Sequence, residues 1–277
     1  MSVKNIYANK TVIVTGAASG IGLALSTELI KRGAKVWLSD ISYSQAQAGA
    51  AQLGKNAHAV ALDVRDAVAV QKLVDQIVAE NAELNFMFNN AGIGMGGEMH
   101  ALGVSHFDKI IDINIRGVMN SVAASYPVMV KQGHGCIVNT ASAAGLGGVP
   151  LMAPYAMTKH AIVGLSKSLR IEGEHYGVQV NALCPSAIET PLLDANMAAG
   201  DEQIWRPDVR GFLSKFAPPY PVQEFAIYAL DQIAANKAII VAPRQTRVVM
   251  FLARLFPGLL DRRLKRLHLQ ELKNRQD

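Results

Sequence analysis

Cysteine is almost missing from this chain: Cys136 and Cys184 are the only two in 277 residues. Two thiols make no disulfide framework, so packing has to hold the fold, and a reducing cytoplasm is the expected compartment. Charge is sparse too, at 18% against 50% hydrophobic residues. That balance excludes a disordered chain and permits a large buried core. Long apolar runs are absent, and none approaches the ~18 residues of a bilayer-spanning helix. Residues 1–10 are polar and Thr11-Val12-Ile13-Val14 is too short for a signal core, so no secretory leader is expected. The seven histidines, His58, His100, His106, His134, His160, His175 and His268, show no metal-ligand spacing, and no metal site is expected. Repeats and low-complexity linkers are missing, so residues 1–243 read as a single domain, followed by an extension over 244–277.

The charge that is present is lopsided. From Arg244 onward there are nine basic and three acidic residues, a net of +6, whereas the remainder has 18 basic and 19 acidic residues, a net of −1. The body has no basic stripe or aromatic platform, which argues against nucleic acid as a partner.

Strand-like apolar runs alternate with helix-length periodic segments. The spacing predicts strands over 11–15, 35–40, 58–62, 85–88, 135–140, 178–184 and 238–242. It predicts helices over 21–32, 42–53, 66–80, 107–130, 155–176 and 222–235, several stopped by glycines such as Gly33, Gly54 and Gly133. Such alternation makes an α/β fold, a doubly wound parallel seven-stranded sheet with helices on both faces and ligands at the carboxyl ends of its strands. Cys136 then starts one strand and Cys184 ends another, too far apart to bridge.

Directly after the first strand, Thr15-Gly16-Ala17-Ala18-Ser19-Gly20-Ile21-Gly22 opens a helix. Glycines there allow a tight turn and let a pyrophosphate approach the backbone at the helix N-terminus. Asp40 ends the second strand, where a carboxylate accepts hydrogen bonds from ribose hydroxyls and repels a 2′-phosphate. With no Arg or Lys in the turn or just after Asp40, NAD(H) is favoured over NADP(H). Ser42 is the expected cap of the next helix. Further on, Tyr155 and Lys159 stand four residues apart, on one helix face. An ammonium beside a phenol favours the phenolate and lowers a pKa that is ~10 when unperturbed, which suits general acid/base work.

In this order the residues resemble the short-chain dehydrogenase/reductase family in its single-domain, Rossmann-type form. The resemblance covers roughly residues 10–243 and rests on the glycine turn, Asp63-Val64, Asn89-Asn90-Ala91-Gly92, Asn114, Ser142, and Tyr155 with Lys159. It implies that Gly16, Ser19, Gly20, Ile21, Gly22 and Asp40 hold the dinucleotide. It implies that Asp63 and Val64 flank the adenine, that Asn90, Ala91 and Gly92 pass beside the cofactor, and that Pro185, Ile188 and Thr190 hold the nicotinamide end. Tyr155 would be the general acid/base and Lys159 would tune it and bind the nicotinamide ribose. Ser142 would hold the substrate oxygen, and Asn114 a water leading to Lys159. One departure stands out: Pro185-Ser186 replaces the family's Pro-Gly, which a serine tolerates where φ is negative. The family also pairs subunits through its two long helices, so a homodimer or homotetramer is expected.

Three segments are expected to meet the substrate: 94–97, 143–152 and the stretch after Thr190. The second has Leu146, Val149, Leu151 and Met152; the third has Leu192, Leu193, Met197, Ile204, Trp205, Phe212 and Phe216. Their apolar character favours a bulky hydrophobic alcohol or ketone, steroid-, retinoid- or lipid-like. Residues 192–220, broken by Pro207, Pro218 and Pro219, read as a mobile lid. The extension reads as two amphipathic helices split at Pro257-Gly258. Its alternatives are contact with an anionic membrane, with the body, or with a partner subunit. The expected activity is hydride transfer between NAD(H) and a hydrophobic secondary alcohol or ketone. An NADPH-dependent 3-oxoacyl-type ketoreductase and a non-catalytic NAD(H) sensor are the rivals. Asp40 argues against the first, and the complete set Asn114, Ser142, Tyr155 and Lys159 against the second.

Overall fold

The computed structural model describes residues 5–194, 204–205 and 207–274. Seven strands, β1 (Thr11–Thr15), β2 (Lys35–Asp40), β3 (Ala57–Ala61), β4 (Phe86–Asn89), β5 (Gly135–Thr140), β6 (Val178–Pro185) and β7 (Ile239–Ala242), form one sheet in the order β3-β2-β1-β4-β5-β6-β7. Every neighbouring pair is parallel. The order reverses between β1 and β4, which opens a crevice at the carboxyl edge.

Alternation along each strand explains the continuous apolar runs. Val12 and Val14 of β1 face a core shared with Leu25 and Leu29 of α1 (Gly20–Lys31) and with Phe225 and Ile233 of α8 (Val222–Ala234). Ile13, between them, faces the opposite core, where α3 (Ala67–Asn81) contributes Val74 and Ile77 and α6 (Ala153–Glu174) contributes Ile162. Both faces of the sheet are therefore buried, as a parallel sheet requires. Cys136 and Cys184 are free and buried in different cores, and burial pushes each thiol up to about 12.

Local chemistry moves several boundaries. Asp66 is the cap of α3 rather than its first residue, accepting from the Val68 and Ala69 amides at 2.9 and 3.0 Å. Ser42 occupies the cap position of α2 (Tyr43–Leu53) but makes no side-chain cap bond; Asp40 Oδ1 instead accepts from the Ser42 amide at 3.0 Å. The helix expected over 107–130 starts earlier and is interrupted. It comprises α4 (Val104–Ile111), a π turn over Asp112–Arg116 and α5 (Gly117–Gln132). Beyond β6 lie a short 3-10 turn (Pro191–Leu193) and α7 (Val209–Ser214). The extension does form two helices, α9 (Arg244–Leu255) and α10 (Pro257–Asn274). Among the described residues no helix is long and apolar enough to cross a membrane.

Candidate active site

A cavity of about 900 Å³ lies along the carboxyl edge of the sheet. At one end β1 delivers Thr15 into the glycine turn. Gly16 has φ +64°, and a Cβ there would lie 2.7 Å from Ala91 Cα, so only glycine lets the two strand ends meet. A Cβ on Gly22 would fall 2.1 Å from the Gly16 carbonyl oxygen, so α1 can seat on the turn only without one. Thr15 Oγ1 fastens the junction by accepting from the Asn90 and Ala91 amides at 3.0 and 3.1 Å. Asn90 Nδ2 donates to the Thr15 and Gly16 carbonyls at 3.2 and 3.1 Å. Ser19 caps α1 without a side-chain bond, so its hydroxyl and the first-turn amides can serve a ligand. This backbone cradle at a helix N-terminus fits a pyrophosphate.

Asp40 lines the same end. Its Oδ2 accepts from the Ala18 amide at 3.0 Å, which fixes the carboxylate against the turn while leaving acceptor capacity for hydroxyls. The lining cations among the described residues are Lys159, beside Tyr155, and Arg263, over the Phe216 ring at 5.0 Å from its centroid. Asp63 and Val64 are not brought into the wall. Asp63 is paired to Arg65 at 2.6 Å, and that guanidinium holds its carboxyl below the usual range. Val64 is buried against Gly117, where a Cβ would lie 2.6 Å from Val64 Cγ2.

The middle of the cavity gathers Gly92, Ser142, Tyr155, Lys159, Pro185 and Ile188. α6 puts Tyr155 and Lys159 on its buried face. Lys159 Nζ donates to the Thr140 carbonyl at 2.8 Å and lies 5.5 Å from the Tyr155 ring centroid. Burial pulls the ammonium down to about 8. Burial also pushes the Tyr155 phenol up, and its side-chain hydrogen bond with Ser142 opposes this only in part. The expected lowering of the phenol by Lys159 is therefore not met by the protein's own groups.

Ser142 caps the 3-10 turn Ala143–Gly145, accepting from the Ala144 amide at 3.1 Å and donating to the Pro185 carbonyl at 3.3 Å. Asn114 sits behind the wall, 1% exposed, inside the π turn. Its Nδ2 donates to the Ile93 carbonyl and to Thr158 Oγ1 at 3.0 and 3.1 Å, and its Oδ1 accepts from the Ile93 amide at 2.9 Å. Both amide donors are thus taken by protein, so its side chain braces the loop after β4 against α6. Thr190 closes on the glycine turn, 3.4 Å from where a Gly20 Cβ would be, and Ser186 is not among the positive-φ residues. His160 points away, its Nδ1 at 2.8 Å from the Ala156 carbonyl.

The far end is apolar, with Val149, Met152, Leu193, Phe212 and Phe216 in the wall. Residues 94–97 are not in it, because Met95 is buried in a core and Gly97 packs on Leu102 and Ile204. Leu146, Leu151, Ile204 and Trp205 do not line it either, and Met197 lies outside the described residues. The extension contributes what sequence reasoning missed: Met250 of α9 and Leu260 and Leu264 of α10 complete the wall. Thr15, Thr140 and Thr158 were also missed as supports. Thr15 lay in the quoted motif, whereas Thr140 acts through its carbonyl and left no side-chain signal.

A doubly wound sheet with a pyrophosphate cradle at its switch point and a buried Tyr/Lys pair beside it defines a dinucleotide-dependent oxidoreductase. The family description "short chain dehydrogenase" matches residues 10–200. The chain is 33% identical over 203 residues to levodione reductase from Leifsonia aquatica, covering 71% of this chain and 76% of that protein. It is 34% identical over 230 residues to 2,5-dichloro-2,5-cyclohexadiene-1,4-diol dehydrogenase from Sphingobium indicum, covering 82% and 91%. Its fold resembles a crystal structure of a short-chain dehydrogenase/reductase from Burkholderia phymatum in complex with NAD, with TM-score 0.82, 25% identity and 94% and 97% coverage. The chain belongs to the short-chain dehydrogenase/reductase family. It is an oxidoreductase of the alcohol dehydrogenase and ketone reductase kind, with a nicotinamide cofactor.

Proposed function

We propose that this protein transfers a hydride between NAD(H) and a bulky hydrophobic secondary alcohol or ketone, with Tyr155 as the proton donor and acceptor. The observation that carries this reading is the buried Tyr155–Lys159 pair on the wall of a cavity polar at Asp40 and apolar at Phe212 and Phe216. The cofactor, when bound, supplies or accepts the hydride; the chain's residues orient the reactants and manage the proton. Gly16, Ser19, Gly20, Ile21 and Gly22 form the pyrophosphate cradle. Asp40 takes the ribose hydroxyls. Asn90, Ala91 and Gly92 flank the cofactor's path, and Pro185, Ile188 and Thr190 its nicotinamide end. Ser142 orients the substrate oxygen and Tyr155 exchanges a proton with it. Because burial raises its pKa, Tyr155 holds that proton at neutral pH, ready for ketone reduction. Lys159, anchored on the Thr140 carbonyl, positions the phenol. Asp63 and Val64 keep an adenine role in this proposal only if Asp63 exchanges its Arg65 partner for the base. Subunit pairing through α4–α5 and α6 is part of the same reading.

The test is turnover of a panel of hydrophobic secondary alcohols with NAD+, alongside fluorescence titration with NADH and NADPH. Tyr155→Phe should lower kcat by about 10²–10⁴-fold and leave NADH binding intact. Undiminished turnover by that variant would remove Tyr155 from its role, and tighter binding of NADPH would reverse the cofactor choice.

A further inference from the structure

The extension turns one face to the body and another to solvent, and the solvent side of α9 carries an apolar stripe. On α9, Thr246, Met250 and Ala253 point inward and are half-buried. Val248, Phe251, Leu252 and Leu255 follow the i, i+3, i+4, i+7 spacing of a helical stripe and are 60%, 62%, 49% and 55% exposed. At the elbow between the helices, Phe256 and Leu259 extend the patch, 56% and 65% exposed. α9 has no buried residue at all. A soluble helix normally buries such a stripe, and a contiguous exposed patch marks a contact surface.

The rim of this patch identifies its occupant. Arg247 and Arg254 border the α9 stripe at helical spacing, and Arg262, Lys265 and Arg266 follow the elbow on exposed positions of α10. A second copy seated on the patch would bring two +6 extensions face to face. An anionic bilayer surface meets both features at once, taking the apolar side chains into the headgroup boundary and the cations against phosphates. Val249 is 44% exposed and also lines the cavity, so the patch runs into the cavity mouth.

We propose that the α9–α10 elbow docks this protein onto the surface of an anionic lipid bilayer, without spanning it. Docking does not depend on the catalytic reading, since none of the six patch residues lines the cavity.

Flotation of the full chain with vesicles tests it, using phosphatidylcholine alone and with about one-third phosphatidylglycerol, at low and high salt. The protein should float with the anionic vesicles, and high salt should weaken binding. Phe251→Glu with Leu255→Glu should cut the bound fraction roughly tenfold or more while turnover of a water-soluble alcohol persists. Arg247→Glu with Arg254→Glu should weaken anionic binding similarly, and it carries the test if the first variant does not fold. Failure of the wild type to float would overturn the proposal. So would flotation unchanged by both variants, or a patch variant that lowers the solution mass by light scattering while the wild type ignores vesicles, since a second copy would then be the occupant.

Discussion

Lys159 shows how a single buried charge can couple chemistry to stability. Its folded ammonium titrates at about 8 because burial disfavours the charge, whereas an unfolded lysine titrates near ~10.4. Between those values the unfolded chain binds more protons than the folded one, so this group makes stability rise with pH across the window. Below the folded pKa the cost of burying the charge is fully present. Lys159→Met removes the charge and keeps most of the stem. The wild-type stability minus that of Lys159→Met, from urea unfolding, should therefore shift in the wild type's favour from pH 8 to pH 10, by on the order of 2 kcal/mol. It should stay flat between pH 5 and pH 7. Taking the difference cancels the opposing titration of Cys136, whose thiol is raised by burial and does not feel Lys159. A difference flat up to pH 10 would mean that Lys159 is solvated in the folded state. At this scale the sequence was informative wherever a side chain does the work, as at Asp40, Ser142 and Tyr155. It was silent on the Thr140 carbonyl, because every residue has one. It showed the adjacency of Tyr155 and Lys159 on a helix but not the burial that raises the phenol pKa in the protein alone.

Elements show a different limit. The 3-10 turn that carries Ser142 has to lie against α6 if the serine is to face Tyr155. Gly145 permits that contact: a Cβ there would lie 2.5 Å from the Lys159 carbonyl oxygen and 2.8 Å from its carbon. These are helix backbone atoms, which cannot swing away as a side-chain tip would. Gly145→Ala should push the turn off α6, lowering stability by about 1–3 kcal/mol. Ser142 moves with the turn, whereas the pyrophosphate cradle is built on β1 and α1. Turnover should thus fall more than NADH affinity, and stopped-flow hydride transfer with parallel NADH titration would show it. Equal losses would point to damage beyond the turn. Nothing in the periodicity revealed Gly145, because the contact spans distant segments. The π turn over Asp112–Arg116 was hidden for a related reason. One extra residue in a helix shifts the apolar phase by about 100°, which reads as ordinary scatter in so short a segment. The strands were more legible, since two-sided burial leaves continuous apolar runs bounded by glycine and proline.

At the scale of the whole molecule, the sheet and its switch point were predictable from the βα alternation, but the relation of the extension to the cavity was not. α9 is apolar on more than one side, so its pattern does not say which side turns inward. α10 settles its own orientation through Leu264, buried in the cavity wall, and Glu271, 4% exposed. Glu271 pairs with Lys215 at 3.3 Å and accepts from the Asp208 amide at 3.2 Å, tying α10 to the start and end of α7. Arg263 adds a bond to the Lys215 carbonyl at 3.2 Å. The extension thus holds α7, which carries Phe212, over the apolar end of the cavity. A chain ending at Pro243 removes Met250, Leu260 and Leu264 from the wall and frees α7 from Glu271. The dinucleotide end is built from β1, α1 and β2 instead. Truncation should therefore leave NADH affinity within about twofold but raise KM for a hydrophobic alcohol roughly tenfold or more, since one lost apolar contact already removes about that much binding. A short, water-soluble alcohol that never reaches Phe212 should be affected least. If KM rose equally for the short and the bulky substrate, the extension would be supporting the sheet instead of walling the pocket. If neither changed, the apolar end of the cavity would not be where the substrate sits.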